Sequence, residues 1–508
     1  MIGADARPPF LSRRSFWAAL ALASALPFIV SPFPMMADWF SHVGRYHVML
    51  RGAQDAFLPQ YYDFHWALIG NLGIDLLMVP LGPLLGTEQA ARLCVGLIPP
   101  LTVGGIYALG RSGRGAELAP GAFLALPLVF ARNFTLGFTN FCLATALALW
   151  TGAAWAWAAE RPAALRWAVA APAALLVWLA HIGGWAILLV LVGGMELARA
   201  YRISGFAPTG AWRGALRLAP FFLPLAPTLA WRSGAAATSG EPHQYLFGLK
   251  WVWLRMLVRG EIEGLDLLTS GLLLGAAVLL LILLILRRAS VRAGAAVAAL
   301  CLGALFLALP QWVLGSYYAD MRLLAPALIL VFLAITPASP GIGRLLVGLG
   351  LALFAAQVVA TSVGWHRRGA AASLDLKVLD RVPRGARIAA FSYRGDCLGW
   401  APSGLEHLPS LAIVRRSAFV NSEFAYAGQN LMQPIYNRGR DFNGIPSNLI
   451  AGPVDPCGGR PLRVLLDALP RDRFDYVWLF DAVPPQGIAW LQPVAAGPHG
   501  RLYRLAAR

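Results

Sequence analysis

Long apolar runs fill the first 365 residues, with polar residues confined to the stretches between them. A helix needs about 20 apolar residues to cross a hydrocarbon core of about 30 Å. That criterion predicts eleven spans, at 16–31, 91–110, 117–131, 141–159, 165–180, 182–198, 216–231, 267–286, 293–309, 322–336 and 345–364. The run from Trp167 to Ala198 would be far longer than a bilayer as one helix rising about 1.5 Å per residue. A break near His181 and Gly183-Gly184 divides it into two. The stretch from Trp66 to Leu85 is also apolar, but Asn71, Asp75, Pro80 and Pro83 interrupt it, so it reads as interfacial or re-entrant helix. Beyond residue 365 the pattern changes. Short apolar strands at 386–391, 411–414, 476–480 and 502–505 alternate with polar connections and with helix-compatible stretches at 371–379 and 463–469. The fold class expected is therefore an α-helical polytopic membrane module over 1–365 followed by a soluble α/β domain over 366–508.

Composition supports a membrane as the main solvent, since 58% of the residues are hydrophobic and only 13% charged. The net charge of +17 raises nucleic acid as a partner, but such proteins concentrate Lys and Arg on one face or tail. Here the basic residues stand singly or in twos and threes between apolar runs, which is the signature of membrane topology and leaves no nucleic-acid surface. With the spans above, Arg13/Arg14, Arg111/Arg114, Arg161/Arg166, Arg199/Arg202, Arg287/Arg288/Arg292 and Arg344 all share one side. The positive-inside rule makes that side cytoplasmic. A long first loop over 32–90, further loops at 132–140, 232–266 and 310–321, and the C-terminal domain then lie outside, in the periplasm of a bacterial inner membrane. The small-residue triplet Ala23-Ser24-Ala25 allows a signal-peptide reading of the first run, but the spans that follow favour a retained helix. Cys94, Cys142 and Cys301 lie in apolar runs and read as packing residues, while Cys397 and Cys457 leave a bridge in the outer domain open.

The candidate chemistry is on the outer side. If the chain is helical from residue 38, Asp38, His42 and Arg45 fall at i, i+4 and i+7 on one face; an amphipathic interfacial helix gives the same spacing. Further along, Asp63 and His65 sit in an aromatic stretch, Tyr61 to Trp66, that also suits a headgroup-level anchor. No cofactor motif is evident. A divalent metal held by His42, His47, His65 and Asp38 or Asp63 is conceivable, although the spacing matches no known signature. The loop over 232–266 interleaves Glu241, His243, Lys250, Arg255 and Arg259 with Tyr245, Trp251 and Trp253, a composition suited to a lipid phosphate or to plain aromatic and basic anchoring. Asp320 and Arg322 stand where a span begins, a costly position unless they are paired or used, and a contact between the two is one structural reading. His181, Glu406-His407 and Arg415-Arg416 read as packing or surface residues. Walker, Rossmann, zincin and nucleophile-elbow motifs are missing.

The order of these parts resembles the GT-C class of polytopic glycosyltransferases, with distant likeness to lipid A aminoarabinose and protein O-mannosyl transferases. The resemblance rests on an acidic residue soon after the first span, interfacial helices before the second, and the turn Gly110-Arg-Ser-Gly-Arg114. The motif Gly137-Phe-Thr-Asn-Phe141, the entry Asp320-Met-Arg322 and the tail phrases 382–388 and 407–416 complete it. It implies a sugar carried on a polyprenyl phosphate and an acceptor that is a glycan, lipid or protein of the cell envelope. It also implies Asp38 as general base, with Arg322, Lys250, Arg255 and Arg259, in that order, as partners of the phosphate. His42, Arg45, Asp63, His65, Asn140, His243 and Asp320 are further candidates for substrate contact. One departure stands out: members of the class often carry a second acidic residue in the second outer loop, where this chain has Asn133 and Asn140. The alternative reading is a non-catalytic envelope scaffold or a transporter of glycan or lipid intermediates. Transport is disfavoured by spans nearly free of charge and by the lack of an internal repeat.

Overall fold

The computed structural model describes residues 10–112, 117–205, 207–234, 245–313, 316–393, 400, 404–424, 430–451 and 459–506. Among these, six helices are long and apolar enough to cross a membrane: Thr87–Gly110, Thr139–Ala158, Ala163–Ala180, Ile182–Ser204, Glu263–Ile285 and Pro340–Arg381. Gly73–Leu85, Pro120–Phe130, Ala293–Ala308 and Met321–Ala334 form shorter apolar segments. Exposed Leu279, Ile282, Ile285 and Leu300 turn outward as they would toward lipid, and the chain is a multi-pass membrane protein.

Local chemistry explains where the expected spans break. The predicted 16–31 span is two helices, Arg14–Ser24 and Leu26–Val30, joined at Ala25 next to Pro27. The predicted 117–131 span is instead a pair of 3-10 turns, Pro120–Phe123 and Leu126–Phe130. Their prolines lack the N–H that an α-helix needs, and Gly121 lies so close to the Met321–Ala334 helix that a Cβ would sit 2.5 Å from the Phe332 carbonyl. This segment is buried in protein and does not face lipid. Pro220 and Pro224 likewise divide the predicted 216–231 span among Pro208–Leu218, Ala219–Phe222 and Leu225–Gly234. The long run breaks at His181, which adopts extended φ −168° and ψ 132° and caps Ile182–Ser204 by accepting the Gly183 N–H.

The 36-residue helix Pro340–Asp375, capped by Ser339, is continuous through the expected boundary at 365/366. It leads into a sheet whose centre is the parallel pair Arg387–Tyr393 and Tyr476–Phe480. Gly500–Leu505 and then Leu491–Ala496 extend it antiparallel on one side. Phe419–Val420 and Leu449–Ile450 pair parallel to Arg387–Tyr393 on the other. Residues 411–414, expected as a strand, lie in a helix, Leu411–Arg416. Its Leu411, Ala412 and Ile413 are fully buried where the tail meets the helix Trp39–Arg51 of the first loop, so packing against another helix overrides the local strand preference. The first loop is also stitched to the tail by backbone pairing, with Tyr62–Phe64 antiparallel to Met432–Pro434.

Candidate functional site

Asp38 is fixed by its own backbone. The N–H groups of Ala37 and Asp38 donate to the carbonyls of Thr135 and Leu136 at 3.2 and 3.1 Å, joining the first loop to the second. Gly137 makes the approach possible. Its φ is +97°, and a Cβ there would lie 2.9 Å from the Asp38 Cβ. Both the left-handed conformation and the contact require glycine. Asp38 occupies the N-cap position of Trp39–Arg51 without capping it through its side chain, and that side chain stays 21% exposed.

One turn along, the His42 Nε2 lies 3.2 Å from the Gly137 carbonyl. Burial and the Arg45 charge push the His42 pKa down to about 3, so the ring is neutral at ordinary pH. Its Nε2–H donates to that carbonyl and ties the helix to the second loop. From the tail, buried His407 faces the same carboxylate, with Nε2 4.0 Å from Asp38 Oδ1 and Nδ1 2.7 Å from the Ser422 carbonyl.

Arg322 lies within electrostatic reach of Asp38. Its guanidinium stacks 4.2 Å from the Phe138 ring and 5.6 Å from Phe141, and Nη2 donates to the Tyr317 carbonyl at 3.3 Å. Among the described residues no carboxylate forms an ion pair with it, and its Nε has no hydrogen-bond partner. Nη1 is 3.2 Å from His181 Nε2. Because His181 Nδ1 accepts the Gly183 N–H at 2.9 Å, the neutral ring carries its hydrogen on Nε2. Arg322 and His181 therefore present two donors side by side, an arrangement completed by an acceptor oxygen.

Several other candidates are held in structural networks. Arg45 pairs with fully buried Asp75 through Nη1 and Nη2, and Asn140 binds the Ile74 N–H, the Asn71 carbonyl and Asp75. Arg45 and Asn140 thus tie three helices together. Lys250, expected beside a phosphate, is neutralised by Asp320 at 2.6 Å and also donates to the Leu309 carbonyl at 2.6 Å. Trp253 Nε1 donates to the same carboxylate at 3.1 Å, so Asp320 pairs with Lys250 and not with Arg322.

Arg259 is buried, its Nε donating to the Trp400 carbonyl. Arg255 is exposed in the last turn of Phe247–Arg255. Asp63, in the strand joined to the tail, and His65, just after it, form a solvent-exposed pair at 2.9 Å. His243 and the Cys397–Cys457 bridge fall outside the described residues, as does Arg114. No group of three or more His, Cys, Asp or Glu among the described residues is positioned to hold a metal ion.

Sequence reasoning missed His407 and His181 as members of this cluster. Arg132 is a third residue it passed over: it is buried, stacks 4.9 Å over the Trp253 ring and lies within reach of Arg259. His181 carried a signal, because a histidine at a helix break between apolar runs sits at a span end, where a charged partner from another span is available. His407 carried none, since its approach to Asp38 depends on how the tail folds over the first loop.

Helical first loop, multi-pass helical module and sheet-bearing tail together define a GT-C-like fold. No family model matches the chain, and no curated protein is significantly similar to it. A solved structure that shares the fold is that of ArnT from Cupriavidus metallidurans bound to undecaprenyl phosphate, with a TM-score of 0.51 and 14% identity, covering 98% of this chain and 100% of that one.

Proposed function

We propose that this protein is a membrane glycosyltransferase that moves a sugar from a polyprenyl-phosphate donor to a glycan, lipid or protein acceptor of the cell envelope. The reaction centre lies at the outer face of the bacterial inner membrane, with the N-terminus cytoplasmic and the tail periplasmic. The observation that carries this reading is that Arg322, with its neighbouring donor His181, lies within electrostatic reach of Asp38. A base and an anion-binding pair thus stand together where three loops and the tail converge. The ArnT neighbour, solved with a polyprenyl phosphate, adds support at the level of fold.

In this mechanism the acceptor hydroxyl attacks the anomeric carbon while Asp38 takes its proton, and the carbon–oxygen bond to phosphate breaks with its electron pair leaving on the phosphate. Arg322 and the His181 Nε2–H donate to the phosphate oxygen on which that charge develops. The aromatic faces of Phe138 and Phe141 hold the guanidinium in position without neutralising it. Lys250 is excluded from this role by its ion pair with Asp320.

The test is binding and transfer by the full-length protein in detergent. Native mass spectrometry should detect one retained undecaprenyl phosphate, lost in Arg322→Ala, and Asp38→Asn should keep the lipid but lose transfer. Retention of the lipid by Arg322→Ala at wild-type affinity would remove the proposed phosphate site.

A further inference from the structure

His407 is 3% exposed and belongs to the C-terminal domain, yet its ring is directed at the carboxylate of the first loop. The Ser422 carbonyl, 2.7 Å away, accepts a hydrogen bond and so fixes the proton on Nδ1. That leaves Nε2 as the titrating atom, and Nε2 is the nitrogen facing Asp38 Oδ1 at 4.0 Å. The ring is held from its side by Phe424, with centroids 4.7 Å apart. Of the other ionisable groups around it, His42 is neutral and bound to Gly137, and Glu423 is turned to Ser41 at 2.9 Å. With Nδ1–H held by the Ser422 carbonyl, the Nε2 lone pair faces the carboxylate, so a proton that arrives on Asp38 has an acceptor directed at it.

We infer that His407 is a positioning residue of the reaction centre that receives, through Nε2, the proton Asp38 removes from the acceptor hydroxyl. The C-terminal domain would thereby supply the second ionisable group that the second outer loop, with Asn133 and Asn140, lacks. This rests on the glycosyl-transfer reading above. The balance is complete: the acceptor O–H proton passes to Asp38 and then to His407 as the new glycosidic bond forms. The donor's carbon–oxygen bond breaks with both electrons on the polyprenyl phosphate, and the imidazolium later returns its proton to water. Asp38 is then an unprotonated base again for the next turnover.

Two measurements on the full-length protein test this. In the first, the histidines are labelled with 15N and the His407 signal is identified by its loss in His407→Gln. Its titration midpoint should move to lower pH by roughly one unit or more in Asp38→Asn, the effect of removing an opposite charge within about 4–6 Å. Equal midpoints in the two proteins would overturn the pairing whether or not the protein transfers sugar.

In the second, sugar transfer from an undecaprenyl-phosphate-linked sugar is followed against pH. His407→Gln should lower kcat by about 10²-fold or more, with the donor KM changed less than about twofold and the acidic limb of the pH profile lost. A purely structural histidine would leave the shape of that profile unchanged, and that result would overturn the proton role. If the wild type transfers no sugar, the functional reading fails while the first measurement still decides the pairing. If His407→Gln no longer retains undecaprenyl phosphate, its kinetics are set aside and the first measurement decides.

Discussion

Glu423 lies in the seam between the tail and the Trp39–Arg51 helix, 1% exposed. Ser41 Oγ donates to its Oε2 at 2.9 Å, while Oε1 has no hydrogen-bond partner. Burial raises its pKa from 4.5 to about 7, outweighing the hydrogen bonds of Ser410 and Ser41 and the charge of Arg45. A carboxyl whose folded-state pKa is raised stabilises the fold while protonated. The contribution is complete below pH 4.5, shrinks as pH rises to about 7 and stays lost above it. The shift of roughly two and a half pH units, at about 1.36 kcal/mol each, sets the deficit at neutral pH at about 3 kcal/mol. Glu423→Gln keeps the shape and abolishes the charge. Thermal unfolding in detergent, with limited proteolysis of the tail, should therefore show the variant more stable than wild type at pH 8 and the two equal near pH 4.5. His42 works in the opposite direction: its lowered pKa makes its contribution full above 6.5 and lost as pH falls toward about 3. It is common to both proteins, so it cancels in the comparison. A constant difference between variant and wild type across that range would refute the buried-charge argument.

Four other outcomes are expected. Gly44→Ala should loosen the same seam, because its Cβ would lie 2.9 Å from Glu423 Oε1 and 3.0 Å from Ile413. The clash should outweigh the gain of about 1 kcal/mol that Ala brings to a helix and be read as faster proteolysis of the tail. Arg45→Ala leaves Asp75 buried without its partner and should cost about 3–5 kcal/mol in unfolding measurements. Lys250→Met should lower the unfolding temperature yet leave undecaprenyl phosphate affinity within about twofold, whereas Arg322→Ala should lower it by about tenfold or more. A reporter fused after residue 508 should register a periplasmic C-terminus, and a cytoplasmic one would put the proposed reaction centre on the wrong side of the membrane.

Much of the helical module was legible because apolar length is a local property: the break at His181 follows from the chain alone, and the helix after Asp38, entertained from the spacing of Asp38, His42 and Arg45, is present as Trp39–Arg51. Spans interrupted by proline were misjudged where burial in protein, not lipid, was the environment, as at 117–131. The basic residues of the third outer loop illustrate a different limit. Lys250 stood second only to Arg322 as a phosphate partner, and only tertiary pairing shows that this lysine is neutralised by Asp320, whereas among the described residues Arg322 forms no ion pair with a carboxylate. Residues 411–414 have strand-forming composition, but the neighbour they meet is the Trp39–Arg51 helix, which sequence could not reveal.

The Pro340–Asp375 helix has a mechanical consequence. Thirty-six residues make a rod of about 54 Å, well beyond a hydrocarbon core of about 30 Å. With no break along its length, the rod transmits any tilt of one end directly to the sheet it carries. The opposite attachment, through Tyr62–Phe64, belongs to the same loop that carries Asp38. Loading an acceptor by swinging the tail aside would therefore have to bend this strut or open the whole seam between tail and first loop, in which that ribbon, three residues long, is joined by the Leu411–Arg416 packing and the Ser41–Glu423 hydrogen bond.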